Sequence, residues 1–568
     1  LEYYQLENFI ENVYEKVESK GFETKNLPQT PFNSEFANLV NDALIQVDTQ
    51  LDELKKEKNT LTLNDLNRSL TQLLALEIPI NNLNQQFKYL FIDEFQDTDN
   101  IQLNFIVDIL IKANIHLLLV GDRKQGIYRF RGAEVTAFDL VKESLEKNGR
   151  TIGEHILLFN YRTSANLLNE MEDLFDSWRK KNLLAVDSKS KITSRMLPTK
   201  MAGLSKKDAY KKIYKEISAQ AIHDIYNEMI GRSRETERSV LAILVRTNDQ
   251  VKDIGKILQE SSLTNRLPYQ VVVEGSLFQS EAAKDLLYLF RSWLNPDDEI
   301  VRYSLSQTAF CRKDNSTITI KEDRQFYETG TYCYEVPKAW YEALENLKVA
   351  PAFMVLNHYL SQVPYREQLE SKGYSKIHIK QYEMNLFKVL GLMNGSMNEC
   401  TDLYSLYQWL KIEHNTNTRD SEAELTDDDF ESGYIKVMTV HKSKGLEFDT
   451  VIIPYLRKPF VRILPDDFNP QGNDNVNEYN FSDIIAEGVG GEQLYGWKYF
   501  EKKNKFYNCT EEQYEKLKLD DILQIQQEET RNLYVAMTRA KEQLIFFSDK
   551  NYPLRGLNNW LVLIGGIK

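Results

Sequence analysis

Cysteine is nearly absent from this 568-residue chain: Cys311, Cys333, Cys400 and Cys509 stand far apart. That spacing excludes a zinc knuckle and a dense disulfide framework, and it fits a reducing cytoplasm. Glycine (24) and proline (14) are scarce as well. No low-complexity linker or solenoid-period repeat is visible. No apolar run reaches the roughly 20 residues that a membrane span needs, and no leader-like segment precedes the first polar helix pattern. Basic residues number 70 against 84 acidic ones, for a net charge of −14. A uniformly basic nucleic-acid coat is thereby excluded, whereas a local basic groove is not. What the chain does have is bulk. At roughly 100–200 residues per domain it predicts about three to five domains, and 42 % hydrophobic residues suffice for several cores.

Periodicity organises the chain. Residues 1–85 read as helical, with apolar residues three and four apart in Leu1–Glu18 and Phe36–Lys58. The pattern then changes to short apolar runs, Tyr89–Ile92 and His116–Val120, with a helix pattern, Asn100–Lys112, between them. Strand, helix, strand predicts a parallel sheet whose short strands are buried. Similar runs recur at Val240–Val245, Ile435–Val440, Val451–Ile453 and Leu544–Phe547. Residues 286–432 become helical and read as an insertion inside a second α/β domain.

Chemistry concentrates at the ends of these runs. Asp93-Glu94 follows the first strand, at the sheet edge where open α/β folds bind ligands. One carboxylate there can hold Mg²⁺ through its waters while its neighbour orients a hydrolytic water. The stretch Gly121–Ala133 follows the second strand. It carries Gln125 together with Tyr128, Phe130 and four cations that include Arg131, a mix suited to phosphate and to stacked bases. Asn160-Tyr161-Arg162 offers a ring that can stack on a purine and a guanidinium that can reach a triphosphate. Thr439–Phe448 puts Thr439, His441, Lys442, Ser443 and Lys444 in a turn between strands, able to grip a sugar-phosphate backbone, with Glu447 placed to accept a ribose hydroxyl. Glu529–Ala540 reads as a helix with Arg539 near its end, a position from which an arginine can stabilise a transferring phosphoryl group. Arg179–Lys200 holds seven cations against one Asp and reads either as a DNA groove or, more plainly, as a solvated face. Each block alone has such a bland reading: a strand end, a turn or a solvated arginine.

Together the blocks resemble the UvrD/Rep/PcrA and RecB/AddA helicases of superfamily 1. Asp93–Asp97 resembles motif II, Gly121–Ala133 motif III, Asn160–Arg162 motif IV, Val440–Phe448 motif V and Val535–Ala540 motif VI, in the family's order. The resemblance implies an α/β fold of two RecA-like parallel-sheet domains, the first incomplete at its N-terminus, with helical insertions. It places a 1B-like helical insertion at 1–85, the remainder of domain 1A at 86–150, domain 2A at 151–285 and 433–568, and a 2B-like insertion at 286–432. It also implies ATP and Mg²⁺ as cofactors, single-stranded or partly duplex DNA as partner, and 3′-to-5′ movement. A nuclease or another subunit is implied as a further partner. By the same resemblance Asp93 and Glu94 serve the metal, and Glu94 activates water. Gln125, Arg162 and Arg539 face the γ-phosphate. Tyr161 stacks on the adenine, Glu447 meets the ribose, and Gly445 and Asp93 are also among the residues that bind ATP. Tyr128, Phe130, Arg131, Thr439, His441 and Ser443 touch DNA.

One departure stands out. No Gly-x-x-x-x-Gly-Lys-[Ser/Thr] loop occurs in the chain, although that loop supplies the N–H groups and lysine that cradle phosphates. Two expectations follow: an N-terminal segment outside this sequence, or a degenerate scaffold. The survival of Asp93, Glu94, Gln125, Arg162 and Arg539 favours the first, as does the non-Met start. The short stretch after motif VI predicts no C-terminal nuclease.

Overall fold

The computed structural model describes residues 34–62, 65–66, 69–70, 73, 77–113, 115–128, 137–150, 152–185, 195–201, 203–232, 238–261, 264, 267–273, 275–311, 337–395, 402–416, 420–430, 433–460, 479–487, 493–501, 504–507, 511–548 and 559–565. The expected helix Leu1–Glu18 lies outside them. So do Phe130 and Arg131.

The strands in chain order are β1 (Tyr89–Ile92), β2 (His116–Leu119), β3 (Phe159–Asn160), β4 (Leu197–Pro198), β5 (Tyr210–Ile213), β6 (Val240–Val245), β7 (Tyr269–Val271), β8 (Tyr434–Thr439), β9 (Phe448–Ile453), β10 (Tyr479–Glu487), β11 (Gln493–Glu501), β12 (Asn504–Tyr507) and β13 (Ala540–Phe547). Among the described residues, the largest sheet runs β5-β13-β9-β6-β8-β7 with every pairing parallel. Its central strands are largely apolar because both faces are covered. Ala242, Leu244, Met438, Val451, Ile453, Leu544 and Phe546 pack with Leu167, Phe175 and Tyr534 on one face. Leu241, Ile243, Val245, Val437, Ile452 and Ile545 alternate onto the other, against Ile222, Tyr226, Ile254 and Leu258.

β1 and β2 form a two-stranded parallel sheet with Tyr89 opposite His116 and Ile92 opposite Leu119. The helix between them, Asn100–Lys112, starts at a capping box in which Asp99 accepts from the Gln102 amide. One face of this sheet packs, through Ile92, Leu117 and Leu119, on Phe95, Leu103, Ile106, Leu110 and Val141. Among the described residues nothing covers the other face: Tyr89 is 63 % and Phe91 69 % exposed. The expectation of buried strands therefore fails here, although the parallel pairing is as read. β1 and β2 alternate between half-buried and exposed positions.

The helical unit begins earlier than residue 286. Its first helix is Glu281–Leu294, started by Ser280, whose side chain accepts from the Ala283 amide. It continues through Leu403–Thr416 around a core of Leu286, Phe290, Trp293, Tyr359, Leu386 and Leu410. The chain re-enters the sheet at Gly433, where a Cβ would sit 2.3 Å from Ile230 Cδ1 and 2.6 Å from the Ser239 carbonyl. Sequence periodicity missed the antiparallel meander β10-β11-β12.

The long helix before β13 runs Glu511–Met537 and stops short of the expected Ala540. The Thr538 amide still makes the helical bond to the Tyr534 carbonyl at 2.9 Å, but the Arg539 amide turns to the Ala536 carbonyl at 3.4 Å and the Arg539 Nε takes the Val535 carbonyl at 3.1 Å. Arg539 thus lies in the link to β13, not on the helix.

Candidate functional site

β1 delivers Asp93 and Glu94 to its carboxyl end, where both are exposed. The Glu94 amide donates to Asp93 Oδ1 at 2.8 Å. Glu94 itself has φ 50° and ψ 38°, a left-handed conformation unusual for a side-chain-bearing residue. That turn reverses the chain into a short 3-10 segment, Phe95–Asp97, which buries Phe95 and Gln96. Gln96 Nε2 then donates back to Glu94 Oε2, and Gln96 Oε1 accepts the Asp122 amide at 2.9 Å.

The loop after β2 is organised by Asp122. Its carboxylate accepts from the Lys124 amide (3.0 Å) and Gln125 Nε2 (3.1 Å), and it pairs with Lys124 Nζ at 2.8 Å. Burial alone would raise its pKa, but the Lys124 charge and these hydrogen bonds outweigh burial and hold it below the usual carboxylate value.

The second unit reaches this loop from the helix Glu511–Met537 and from the β8–β9 turn. Arg531 Nε donates to the Gly126 carbonyl at 2.6 Å, and the buried Tyr534 hydroxyl lies 3.4 Å from Asp122 Oδ2. Arg539 Nη2 lies 3.4 Å from Gln125 Oε1, while its Nη1 donates to the Leu446 carbonyl at 3.1 Å. Burial, with Arg162 nearby, brings Arg539 down to about 10, still cationic at neutral pH. Lys444 Nζ is buried between Asp97 and Glu94, 3.4 Å from the latter, and stands 5.3 Å from the Tyr128 ring centroid. Asp97 is pushed up by burial against the pull of Lys444, and its Oδ1 is buried without a partner.

Arg162 is aimed by Asn160, whose Oδ1 accepts the Arg162 and Thr163 amides at 2.9 and 2.8 Å. Its guanidinium bridges Glu447 (2.9 Å) and the Thr538 carbonyl (3.1 Å). Tyr161 beside it is 73 % exposed. Gly445 has φ 80° and open space where a Cβ would sit, so backbone freedom, not space, requires glycine there.

The structure therefore brings Glu94, Gln125, Arg162, Arg539 and Glu447 to one cleft between two parallel sheets. It treats the expected DNA contacts differently. Ser443 is fully buried and donates to the Val440 carbonyl at 2.7 Å, and Thr439 Oγ1 faces the Lys442 amide at 3.4 Å. Both hydroxyls are engaged within the turn. Tyr128 and His441 pack together across the cleft, centroids 5.8 Å apart, with His441 Nε2 3.2 Å from the Ile127 carbonyl. In the basic stretch Arg179–Lys200, Arg179 pairs with Glu172 at 2.8 Å, and Arg195 with Asp173 and Asp176 at 2.9 and 3.2 Å. Those charges are already engaged inside the unit.

Asp93 and Glu94 suit a hard cation that keeps most of its waters. Among the described residues no cluster of three or more potential ligands occurs, so a metal here would arrive largely coordinated by phosphate and water. No helix among them is long and apolar enough to cross a membrane. Sequence reading gave no role in this site to Gln96, Asp122 or Arg531, and it assigned Lys444 to the nucleic-acid strand instead of to the carboxylates. All four are polar residues within or close to the motif blocks, which was the available signal.

Comparison with known proteins bears on this cleft. The chain matches the UvrD/REP helicase N-terminal domain over residues 3–146 and the UvrD-like helicase C-terminal domain over 156–335 and 350–551. It is 24 % identical over 585 residues to an ATP-dependent helicase/nuclease subunit from Alkaliphilus oremlandii, covering 90 % of this chain and 45 % of that protein. It is 24 % identical to the ATP-dependent DNA helicase Rep of Buchnera aphidicola subsp. Schizaphis graminum over 473 residues, 74 % of this chain and 64 % of that one. It is 27 % identical over 436 residues to the RecBCD enzyme subunit RecB of Buchnera aphidicola subsp. Acyrthosiphon pisum, 71 % of this chain and 35 % of that protein. The chain thus spans between 35 % and 64 % of the length of these relatives.

Proposed function

This chain belongs to the UvrD-like helicase family, and on that premise we propose that it forms the cleft of a DNA-stimulated ATPase that moves 3′ to 5′ along single-stranded DNA. The observation that carries the reading is the contact of Arg539 with Gln125 across the cleft, 3.4 Å. It joins a phosphate-sensing amide of one unit to a cation of the other.

Glu94 takes the proton of the attacking water, as a carboxylate held at the strand end does in this chemistry. Gln125 orients that water. Arg162 and Arg539 meet the charge that develops on the γ-phosphoryl oxygens. Arg162 must leave Glu447 to do so, which frees Glu447 for the ribose hydroxyls, while Gly445 shapes the turn below them. Tyr161 offers its exposed ring to the adenine. When Mg²⁺ is bound it neutralises phosphate charge, and Asp93 with Glu94 would hold it through water. Nucleotide and DNA are coupled because the β8–β9 turn touches both Glu94, through Lys444, and Tyr128, which together with Phe130 and Arg131 meets the strand. A nuclease or other accessory protein as partner fits the names of the relatives, and a cytoplasmic setting fits the reading.

The test is steady-state ATP hydrolysis by the full-length protein or its native complex, with and without a single-stranded oligonucleotide. Stimulation by DNA is expected, with DNA affinity falling as salt rises. Glu94→Gln abolishes turnover and spares DNA binding; unchanged hydrolysis refutes the assigned base.

The alternative reading is a helicase-like scaffold that holds DNA without hydrolysing ATP. Under that reading DNA binds, and neither nucleotide nor Glu94→Gln changes anything.

A further inference from the structure

One buried side chain at the cleft has no role in the scheme above. Gln96 is 2 % exposed, yet both ends of its amide are engaged with residues of the site. Nε2 donates to Glu94 Oε2, and Oε1 accepts the Asp122 N–H at 2.9 Å. The partners fix the amide orientation: a carboxylate only accepts and a backbone N–H only donates. We propose that Gln96 is the positioning residue for Glu94, setting the carboxylate's direction and tying it to the loop that carries Gln125. This rests on the reading of Glu94 as the base.

Gly121 supplies an independent observation. A Cβ there would lie 2.3 Å from Gln96 Oε1, 3.0 Å from the Phe138 ring and 3.1 Å from the Phe95 nitrogen. Gly121 is not among the positive-φ residues, so backbone conformation does not demand glycine at 121. Space does, and the nearest atom that claims it is the Gln96 amide oxygen.

The left-handed turn at Glu94 adds a reason for the bridge. A strained backbone persists only where its surroundings over-determine it. Here the surroundings are the Phe95 amide on the Val120 carbonyl, 3.0 Å, and the Gln96 side chain folded back over Glu94. Beyond Asp122 the hydrogen bonds continue to Gln125 and from there to Arg539. Gln96 is therefore the link through which an arginine of the second unit reaches the carboxylate of the first. Lys444 also approaches Glu94, as a charge at 3.4 Å. It attracts the carboxylate but does not connect it to Asp122.

Three variants of the full-length protein test this. Gln96→Glu keeps an acceptor for the Asp122 amide but sets a second carboxylate against Glu94. Gln96→Ala removes both contacts. Gly121→Ala displaces the amide without altering it. The first readout, hydrogen exchange at the Asp122 amide, needs no turnover: Gln96→Ala and Gly121→Ala accelerate it about tenfold or more, and Gln96→Glu does not. The second is kinetic. All three lower kcat by about 100-fold, the scale of a misplaced catalytic group, with KM for ATP held within about twofold. Asp122 protection retained in Gln96→Ala, or parental kcat in Gln96→Glu, overturns the proposal. A parent protein with no ATPase overturns the motor reading instead, and the exchange measurement then decides separately whether the Gln96 bridge exists.

Discussion

Two parallel sheets flank the cleft, and they are supported very differently. The six-stranded sheet is covered on both faces, so Ile243 and Ile452 are wholly buried. The two-stranded sheet, among the described residues, is covered on one face only, and Tyr89, Phe91 and Leu118 line a shallow groove on the other. Yet the poorly covered sheet carries Asp93, Glu94 and Gln125. Its site residues are held less by a core beneath them than by hydrogen bonds and charges from the other unit: Arg531 on Gly126, Tyr534 on Asp122, Arg539 on Gln125 and Lys444 on Glu94. The contacts across the cleft are therefore part of what shapes the first unit's loops.

The largest expected effect tests the two cores directly. Ile243→Ala costs about 2–5 kcal/mol in urea denaturation, as deletion of a buried isoleucine does. Phe91→Ala, on the open face, costs about 0.5 kcal/mol or less. Equal losses would mean that the face of β1 bearing Phe91 is packed as tightly as the interior of the large sheet.

The helical unit sharpens it with pH. Buried carboxylates beside the large sheet have arginine partners, Glu172 with Arg179 and Glu529 with Arg246, at 2.8 and 2.7 Å. Asp285 in the helical unit accepts instead from neutral donors, the Ala309 amide at 2.8 Å and the Tyr382 hydroxyl at 2.9 Å. Burial pushes it up to about 7, Glu281 adding and Lys372 opposing. Its folded pKa lies above the unfolded value, so the native state binds the proton more tightly. The resulting stability is full below about pH 4 and is lost as pH rises through about 7, by up to about 4 kcal/mol at 1.36 kcal/mol per unit. Asp285→Asn flattens that slope in denaturation series from pH 4 to 8; an unchanged slope assigns it elsewhere.

A smaller effect probes the cross-cleft support. Arg531→Met removes a charged donor from the Gly126 carbonyl, a bond worth about 1.5–3 kcal/mol. Amide exchange across 122–126 rises accordingly while β6 and β9 stay protected. Equal deprotection of both sheets would mean that Arg531 serves global stability. Smallest is Glu447→Gln. Its pair with Arg162 is half-exposed, so its loss changes stability by about 1 kcal/mol or less.

Much of this was legible in the sequence because parallel strands write themselves as short apolar runs. Tyr89–Ile92, Val240–Val245 and the helix Asn100–Lys112 lie where periodicity put them. The residues ending those runs converge because strand ends of a parallel sheet share one edge. Other features depended on contacts that periodicity does not record. The open face of β1 looks in sequence like a buried one, since apolar character says what a strand prefers to touch and not whether anything touches it. The end of the helix at Met537 shows only in its bonds, where the Arg539 side chain and not the Arg539 amide meets the Val535 carbonyl. The meander of β10–β12 is rich in aromatic and polar residues and lacks the plain apolar signature. Thr439 and Ser443 look like phosphate ligands by type, but turn geometry turned one hydroxyl inward and set the other against a backbone amide. Gln96 was in view as one of several polar side chains, and only the placement of Gly121 shows why that amide fits.

The left-handed turn at Glu94 carries a further consequence. At that φ the residue that relaxes the backbone is glycine, whereas the residue that activates water is a carboxylate, so position 94 sets endurance against turnover. Glu94→Gly sets two effects of about 1–3 kcal/mol each against one another, relief of the left-handed strain and loss of the acceptor for the buried Gln96 Nε2, and urea denaturation of that variant reads which is larger.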